Sequence, residues 1–337
     1  KYDGRDRMTE KRVPGGDWTY LVYDERDRLV LTQDGNQRIN GQWSFTKYDE
    51  LNRPIITGIY SSTASRTQVQ EAINTGNYAL FEVRDNAASY GYSNQSFPNT
   101  GIVDHYSITY YDTYDFRDNL SEFGSGFSYE APNHTTSGIT TPRGTYNYED
   151  QAFVMVKGQV TGSLVRVLGS NEWLKNVSYY DDSYRLIQSV SKNTFHGTTE
   201  RISRLYNFPG WLLETFKTQT RNGTAFSVRN RYTYDHAGRL MAGYHELYEG
   251  GVGQGEVFLA ENKYNELGEL IEKNLHVEAG VPHQSIDYRY NIRGWLKSVN
   301  TSSLLPSVTN EDTDQPKDLF GMELLYNTAL EGIPTNE

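Results

Sequence analysis

The stretch Tyr234-Asp235-His236-Ala237-Gly238-Arg239-Leu240 decides how the rest of the chain is read. It joins a strand-forming aromatic to an Asp, a Gly and an Arg-Leu pair, and it recurs. The unit is Tyr, then Asp or Asn, two variable residues, a turn residue, and an Arg/Trp/Glu-apolar pair five and six positions after the Tyr. Full copies begin at Tyr2, Tyr23, Tyr48, Tyr180, Tyr206, Tyr234, Tyr264 and Tyr290. Tyr326-Asn327 opens another. Tyr111-Asp112 opens one that Phe116 and Arg117 interrupt.

The spacing has a mechanical reading. The Tyr ends a strand, and Asp or Asn opens a turn because its side chain accepts from the backbone two residues on. Four residues after the Tyr the chain places Gly210, Gly238, Gly268 and Gly294, or Asp6, Asp27 and Asn52. These residue types tolerate positive φ at the end of a tight turn. Tyr184 stands at the same position and predicts a different turn there. The Arg-Leu pair then starts the next strand. Thr19–Tyr23 and Leu29–Thr32 are β-branched and aromatic, as strands require. Pro14-Gly15-Gly16-Asp17 reads as a hairpin turn.

Successive Tyr anchors lie 21, 25, 63, 69, 26, 28, 30, 26 and 36 residues apart. The shorter intervals hold two strands and two turns, and the two long ones hold insertions. Residues 1–60 and 180–337 are therefore repeats, and 61–179 is the insertion-rich part of one repeat segment, 1–337. One insertion carries a helix signal at 65–74: Ser65 caps, Gln68 follows three residues on, and Val69, Ala72 and Ile73 share a face. Residues 84–101 and 121–144 read as loops, and Glu311–Asp318 as an acidic loop. The expected fold is all-β, an antiparallel hairpin strip with one short helix.

Composition agrees. Of 337 residues, 27 are Tyr and 30 are Gly, and the hydrophobic fraction of 36% is short of aliphatics. Tyr buries a ring face while its hydroxyl finds a polar partner. The net charge is -11, with no Lys/Arg cluster, which argues against nucleic acid. Cysteine is absent, so neither disulfides nor a Cys-based metal site enter. No apolar run reaches about 18 residues, the length of a spanning helix. Lys1-Tyr2-Asp3 starts inside a motif, so the chain reads as a piece of a longer polypeptide.

The units at Tyr23–Leu29 and Tyr234–Leu240 resemble the YD repeat of RHS and teneurin-type shell proteins. Asp24–Thr46, Lys157–Leu168, Tyr290–Val299 and Asp318–Asn327 are similar to RHS proteins of Bacteroidetes-type bacteria. The resemblance implies a strip of hairpins spiralling into a hollow shell around the protein's own C-terminal polypeptide, commonly a toxin. It implies a secreted or cell-surface setting, flanking repeats and toxin cargo as partners, and no cofactor. A secretion system, contractile or type IX, and a glycan are further partners it allows. Family members also carry a self-cleaving core with an Asp-Pro-x-Gly type sequence, which is not found here, so the segment is placed upstream of that core.

Other residues invite sharper readings. His276 and His283 are seven apart without a helix, and His105, His134, His196, His236 and His245 are scattered. Surface histidines are the preferred reading over metal or catalysis. Asp112/Asp115 and Asp181-Asp182 are carboxylate pairs, but the repeat explains Asp112 and Asp181 as turn openers. Glu311-Asp312-Thr313-Asp314 lacks the glycine and terminal glutamate of an EF-hand loop. Gly250–Gly255 follows no strand-to-helix pattern and reads as a hairpin tip. The Tyr rows fit carbohydrate stacking, which makes an extracellular glycan- or partner-binding adhesin the rival to a shell wall. Packing is preferred, because every anchor sits at a strand-turn junction.

Overall fold

The computed structural model describes residues 1–132, 138–194, 196–300 and 319–326. The acidic loop and His134 lie outside the described residues. The first strands are β1 (Glu10–Lys11), β2 (Thr19–Tyr23), β3 (Leu29–Gln33), β4 (Gln42–Tyr48), β5 (Pro54–Ser61) and β6 (Ile102–Asp112). Then come β7 (Ile139–Thr141), β8 (Gly144–Tyr146), β9 (Val156–Arg166), β10 (Trp173–Tyr180), β11 (Leu186–Asn193), β12 (Thr198–Tyr206) and β13 (Leu212–Arg221). The last are β14 (Thr224–Tyr234), β15 (Leu240–Glu249), β16 (Val252–Tyr264), β17 (Leu270–Glu278), β18 (Val281–Tyr290), β19 (Leu296–Val299) and β20 (Met322–Glu323). Eighteen of these strands belong to one antiparallel sheet, and β7 pairs with β8 apart from it. The all-β expectation holds.

The contacts divide the chain into two compact units. The first is Lys1–Ala131, Glu149–Arg201 and Thr220–Gly223. In it each strand pairs with the next along the chain from β1 to β6. β6 then pairs with β9 across the insertion, and β9 with β10 and β10 with β11 complete the series. The second unit is Pro132–Tyr148, Ile202–Gln219 and Thr224–Glu337. In it β14 to β19 pair in sequence order and β19 pairs with β20.

In every full copy from Tyr23 onward the Tyr ends its strand, and the residue six positions on starts the next one. The junction holds a feature the spacing alone does not disclose. In the ladder, Tyr23 faces Leu29 while Val22 faces Leu31, so Val30 is an extra residue, a β-bulge. The same shift occurs at Tyr48, Tyr180, Tyr234, Tyr264 and Tyr290. A bulge turns two successive side chains out of strict alternation. That accounts for the consecutive apolar residues Leu29-Val30-Leu31, Pro54-Ile55-Ile56 and Leu186-Ile187, among which Val30, Leu31, Ile55, Ile56 and Ile187 are buried.

The helix of the first insertion, α2 (Arg66–Thr75), has the expected capping box between Ser65 and Gln68, and Val69 and Ile73 are its buried face. Two five-residue helices were not expected. In α1 (Gly35–Ile39), Asp34 and Gln37 form a second capping box. In α3 (Asp115–Asn119) the cap is Tyr114, which makes no side-chain bond, and the helix buries Phe116 completely. Parts of the segments read as loops are packed, Phe123 and Phe127 among them. Phe116 stacks on Tyr110 at 4.2 Å, Phe123 meets Phe116 at 4.9 Å, and Phe127 meets Phe123 at 5.2 Å. The insertion thus supplies a large aromatic part of the first unit's core.

Tyr184 corrects a sequence expectation. Its φ is 59°, like Asp6, Asp27 and Asn52, and its N–H donates to Asp181 O at 3.0 Å as the others do. The turn chemistry of that copy therefore overrides the cost of a left-handed tyrosine. Gly210 holds φ 91°, and a Cβ there meets no atom within 4 Å. Gly210→Ala should then destabilise through conformation alone, by about 1–2 kcal/mol. Gly4→Ala, also in open space but not at positive φ, should change stability by less than about 0.5 kcal/mol. Urea midpoints of the two variants test this, and equal losses would contradict it.

Candidate functional site

The repeat junction carries the most elaborate side-chain chemistry in the chain. In the copy at Tyr23, Asp24 N–H donates to Arg28 O at 3.0 Å and Asp27 N–H to Asp24 O at 3.1 Å. Asp24 Oδ1 accepts the amides of Arg26 and Arg28 at 3.0 and 2.9 Å, and its Oδ2 accepts Arg28 Nε at 2.7 Å. The same three bonds form at Asp3, Asp49, Asp181 and Asp235. A turn that buries its amides must satisfy them, and one carboxylate satisfies two.

The residue identities obey a partner rule. Asp occurs in the five copies whose fifth position is Arg: Arg7, Arg28, Arg53, Arg185 and Arg239. Asn occurs where that position is Trp211, Glu269 or Trp295. Asn265 shows why: its Oδ1 accepts the Glu269 amide at 2.9 Å while its Nδ2 donates to Glu269 Oε2 at 2.7 Å. An Asp there would set two carboxylates against each other. With Trp there is no cation to receive the second oxygen, and the neutral amide suffices for Asn207 and Asn291. This pairing is visible in the sequence once the copies are aligned.

Within each unit, junctions reach their neighbours. Arg7 lies over the Tyr23 ring at 4.9 Å, Arg28 over Tyr48 at 4.6 Å, Arg53 over Tyr111 at 4.2 Å and Arg239 over Tyr264 at 4.8 Å. Trp211 takes this place against Tyr234 and Trp295 against Tyr326, at 5.5 and 5.3 Å. The Tyr hydroxyl in turn donates to the first strand carbonyl of the preceding copy. Tyr23 donates to Met8 O, Tyr48 to Leu29 O, Tyr234 to Leu212 O, Tyr264 to Leu240 O and Tyr290 to Leu270 O, all within 2.7–2.9 Å. Burial pushes the Tyr48, Tyr234 and Tyr290 hydroxyls above their ordinary pKa, which keeps them donors. Tyr180 bonds Val160 O at 2.8 Å, a strand carbonyl supplied by the insertion. Tyr2 is exposed and pairs with Met8 across an isolated bridge.

The interrupted copy is only half interrupted. Tyr111 occupies an anchor's place, its hydroxyl donating to Pro54 O at 3.2 Å. Asp112, expected to open a turn, does not. It adopts φ 72° and accepts Arg53 Nη1 and Nη2 at 2.9 and 2.5 Å. Asp27 accepts Arg7 Nη1, and Asn52 accepts Arg28 Nη1, in the same way. Asp112 therefore fills the place of the left-handed turn residue, and the ladder crosses the insertion unbroken.

Two clefts, of about 250 and 360 Å³, flank Lys47. Lys47 Nζ is buried and donates to Glu82 Oε1 at 2.7 Å and to Asn94 Oδ1 at 2.6 Å. Glu82 also accepts from Ser93 Oγ, Ser96 Oγ and the amides of Gln95 and Ser96. Burial raises the Glu82 carboxyl, but Lys47 and the two hydroxyls outweigh it and hold it below the ordinary range. Burial lowers Lys47 despite Glu82. An anion this fully bonded offers no free base, so the pair is a clamp fixing 82–96 to β4. Of the carboxylates weighed as acid-base pairs, Asp181 is a turn opener. The structure does bring His276 and His283 together, at 4.4 Å between ring centroids, a pairing their spacing concealed until the hairpin register was known.

No family model matches the chain, and no curated protein matches it. Among solved structures, the chain is similar to TcdB2-TccC3-TEV, with 10% identity and a TM-score of 0.27 over 88% of this chain and 13% of that one. For TcdB2-TccC3 without its hypervariable C-terminal region the values are 11% and 0.29 over 86% and 13%. For TcdB2-TccC3-Cdc42 they are 12% and 0.26 over 88% and 16%. The chain thus spans less than a fifth of those chains, and scores this low say nothing about function.

Two predictions follow from the geometry. The clamp is a buried ion pair, so Glu82→Gln, which leaves Lys47 without its counter-charge, should cost about 3–5 kcal/mol. Urea denaturation measures it, and a loss below about 1 kcal/mol, typical of a surface pair, would contradict burial. The second concerns acid. The Arg53 guanidinium and the Gly158 amide hold the Asp112 carboxyl below its usual range, and the Arg239 amide and side chain do so for Asp235. A carboxyl depressed on folding contributes stability above its unfolded pKa of about 3.9 and loses it as pH falls through the folded value. Stability should therefore drop below about pH 4, and less steeply in the Asp112→Asn, Asp235→Asn double variant. Identical pH profiles from unfolding midpoints would refute this.

Proposed function

We propose that the chain is a wall segment of a secreted or cell-surface YD/RHS-type shell protein. Its partners are flanking repeats and a C-terminal polypeptide, a toxin, that the wall encloses or carries. None of its residues is catalytic, and no cofactor is required. The observation that supports this reading is the ladder itself. The repeated residues spend their charges, hydroxyls and ring faces on the neighbouring copy, which is what a wall needs and an active site does not. The lack of a helix long and apolar enough to cross a membrane among the described residues is compatible with it.

The rival reading needs Tyr faces free for sugars. At Tyr23, Tyr48, Tyr111 and Tyr264 an Arg already lies over the ring, and the hydroxyls are engaged. A glycan would have to displace a guanidinium worth about 0.5–2 kcal/mol of stacking at each.

The test is limited proteolysis of the whole gene product. The polypeptide downstream of the repeats should resist protease while the wall is intact. It should become cleavable when Asp24→Ala, Asp49→Ala and Asp235→Ala loosen the junctions together. Rapid cleavage of that downstream segment with an intact wall would overturn the proposal, and saturable oligosaccharide binding lost on changing a single anchor would replace it with the adhesin.

A further inference from the structure

The tip of the β17–β18 hairpin gathers two imidazoles and a carboxylate that the repeat does not explain. The ladder pairs Leu275 with Gln284 and Val277 with Pro282, so His276 and His283 face each other directly across the two strands. His276 holds φ 49°, out of extended strand geometry, and a carboxylate oxygen of Glu278 lies within 4.8 Å of a nitrogen of its ring. The turn that closes the tip is Ala279-Gly280, with φ of 52° and 83°, the left-handed pair that suits a two-residue hairpin.

The result is compact. The rings meet at 4.4 Å and 79°, and His283 Nε2 lies 3.4 Å from Glu278 Oε2. One ligand atom from each of His276, Glu278 and His283 falls within 4.8 Å of the others, and all three residues are exposed. No cation competes from β16. The register that pairs Phe258 with Val277 puts Leu259 beside His276 and Val257 beside Glu278, and both are apolar.

The geometry points to a surface site for a divalent transition cation of the Zn²⁺ class, held by His276, His283 and Glu278. Two imidazoles and one carboxylate form a donor set suited to Zn²⁺, with a fourth position left for water or an outside ligand. Bonds of about 2.0–2.1 Å at tetrahedral angles need donor atoms about 3.3 Å apart. Exposed side chains on one hairpin face reach that from their present positions by small rotations. The bland alternative, an edge-on pair of histidines with a nearby glutamate, needs no ion. The site is independent of the shell reading, since a binding protein or a wall can carry it equally well.

Calorimetric titration of Zn²⁺ into the metal-stripped chain decides between them. One ion per chain should bind. His276→Ala and His283→Ala should each weaken it at least about tenfold, given that losing even an outer partner of a ligand costs about 10–100-fold. Glu278→Gln should weaken it too, whereas His245→Ala, whose ring is bonded to Asn230 at 2.8 Å on other strands, should leave it unchanged. The substituted residues are exposed, and unchanged far-UV circular dichroism verifies that each variant folds. Absence of stoichiometric binding to the unmodified chain would overturn the proposal. So would wild-type affinity in the His276→Ala, His283→Ala double variant.

Discussion

The structure depends on a side-chain oxygen, of Asp or Asn, that closes a turn. Reversing a strand exposes amides that the ladder no longer satisfies, and a buried unsatisfied amide costs about as much as a lost hydrogen bond. Asp24 answers two of them with one oxygen and fixes Arg28 with the other. Fixing the arginine matters because a free side chain loses rotamer entropy when it docks. Held by Asp24, the Arg28 guanidinium lies over the Tyr48 ring, and the Tyr48 hydroxyl returns to Leu29 O at the end of the same turn. Turn closure and attachment of the next copy are thus one connected set of bonds. The bulge after each anchor belongs to it, because it lets the chain leave the turn with two apolar side chains out of strict alternation.

That connection explains how the chain tolerates large insertions. The residues between Tyr48 and Tyr111 build a helix, two clefts and part of an aromatic core, yet Arg53, Tyr111, Pro54 and Asp112 reproduce the link between neighbouring copies. Only the link must be preserved, and what lies between is free to vary. The insertion is then anchored separately, by the Lys47–Glu82 clamp and by the Arg28 guanidinium, which donates to the Leu80 carbonyl. Such nearest-neighbour attachment is how repeat architectures accumulate stability.

Much of this was legible in the sequence because the turn is local. Tyr at a strand end, Asp or Asn after it, and a left-handed residue four positions on are determined within seven residues, and the Ser65–Gln68 cap within four. The partner rule between Asp and Arg, or Asn and Trp or Glu, is equally local, within five residues. What could not be read depends on register between strands or on distant segments. The bulges needed the ladder. The meeting of His276 with His283 needed the β17–β18 register. The Arg53–Asp112 link spans 59 residues, and the Lys47–Glu82 clamp spans 35. Tyr184 misled because residue preference argued against a conformation that the surrounding turn bonds impose.

The arginine of one junction holds the tyrosine of the next. A double-mutant cycle on Arg28→Ala and Tyr48→Leu, read by urea denaturation, measures that link apart from the packing each residue makes alone. A favourable coupling of about 0.5–2 kcal/mol is expected between them, the range for a partly buried cation over an aromatic face. None is expected between Arg28 and Tyr264, which belongs to another junction. A coupling for Arg28 and Tyr48 indistinguishable from zero would contradict such a link, leaving the turns as isolated closures and the ladder as mere proximity.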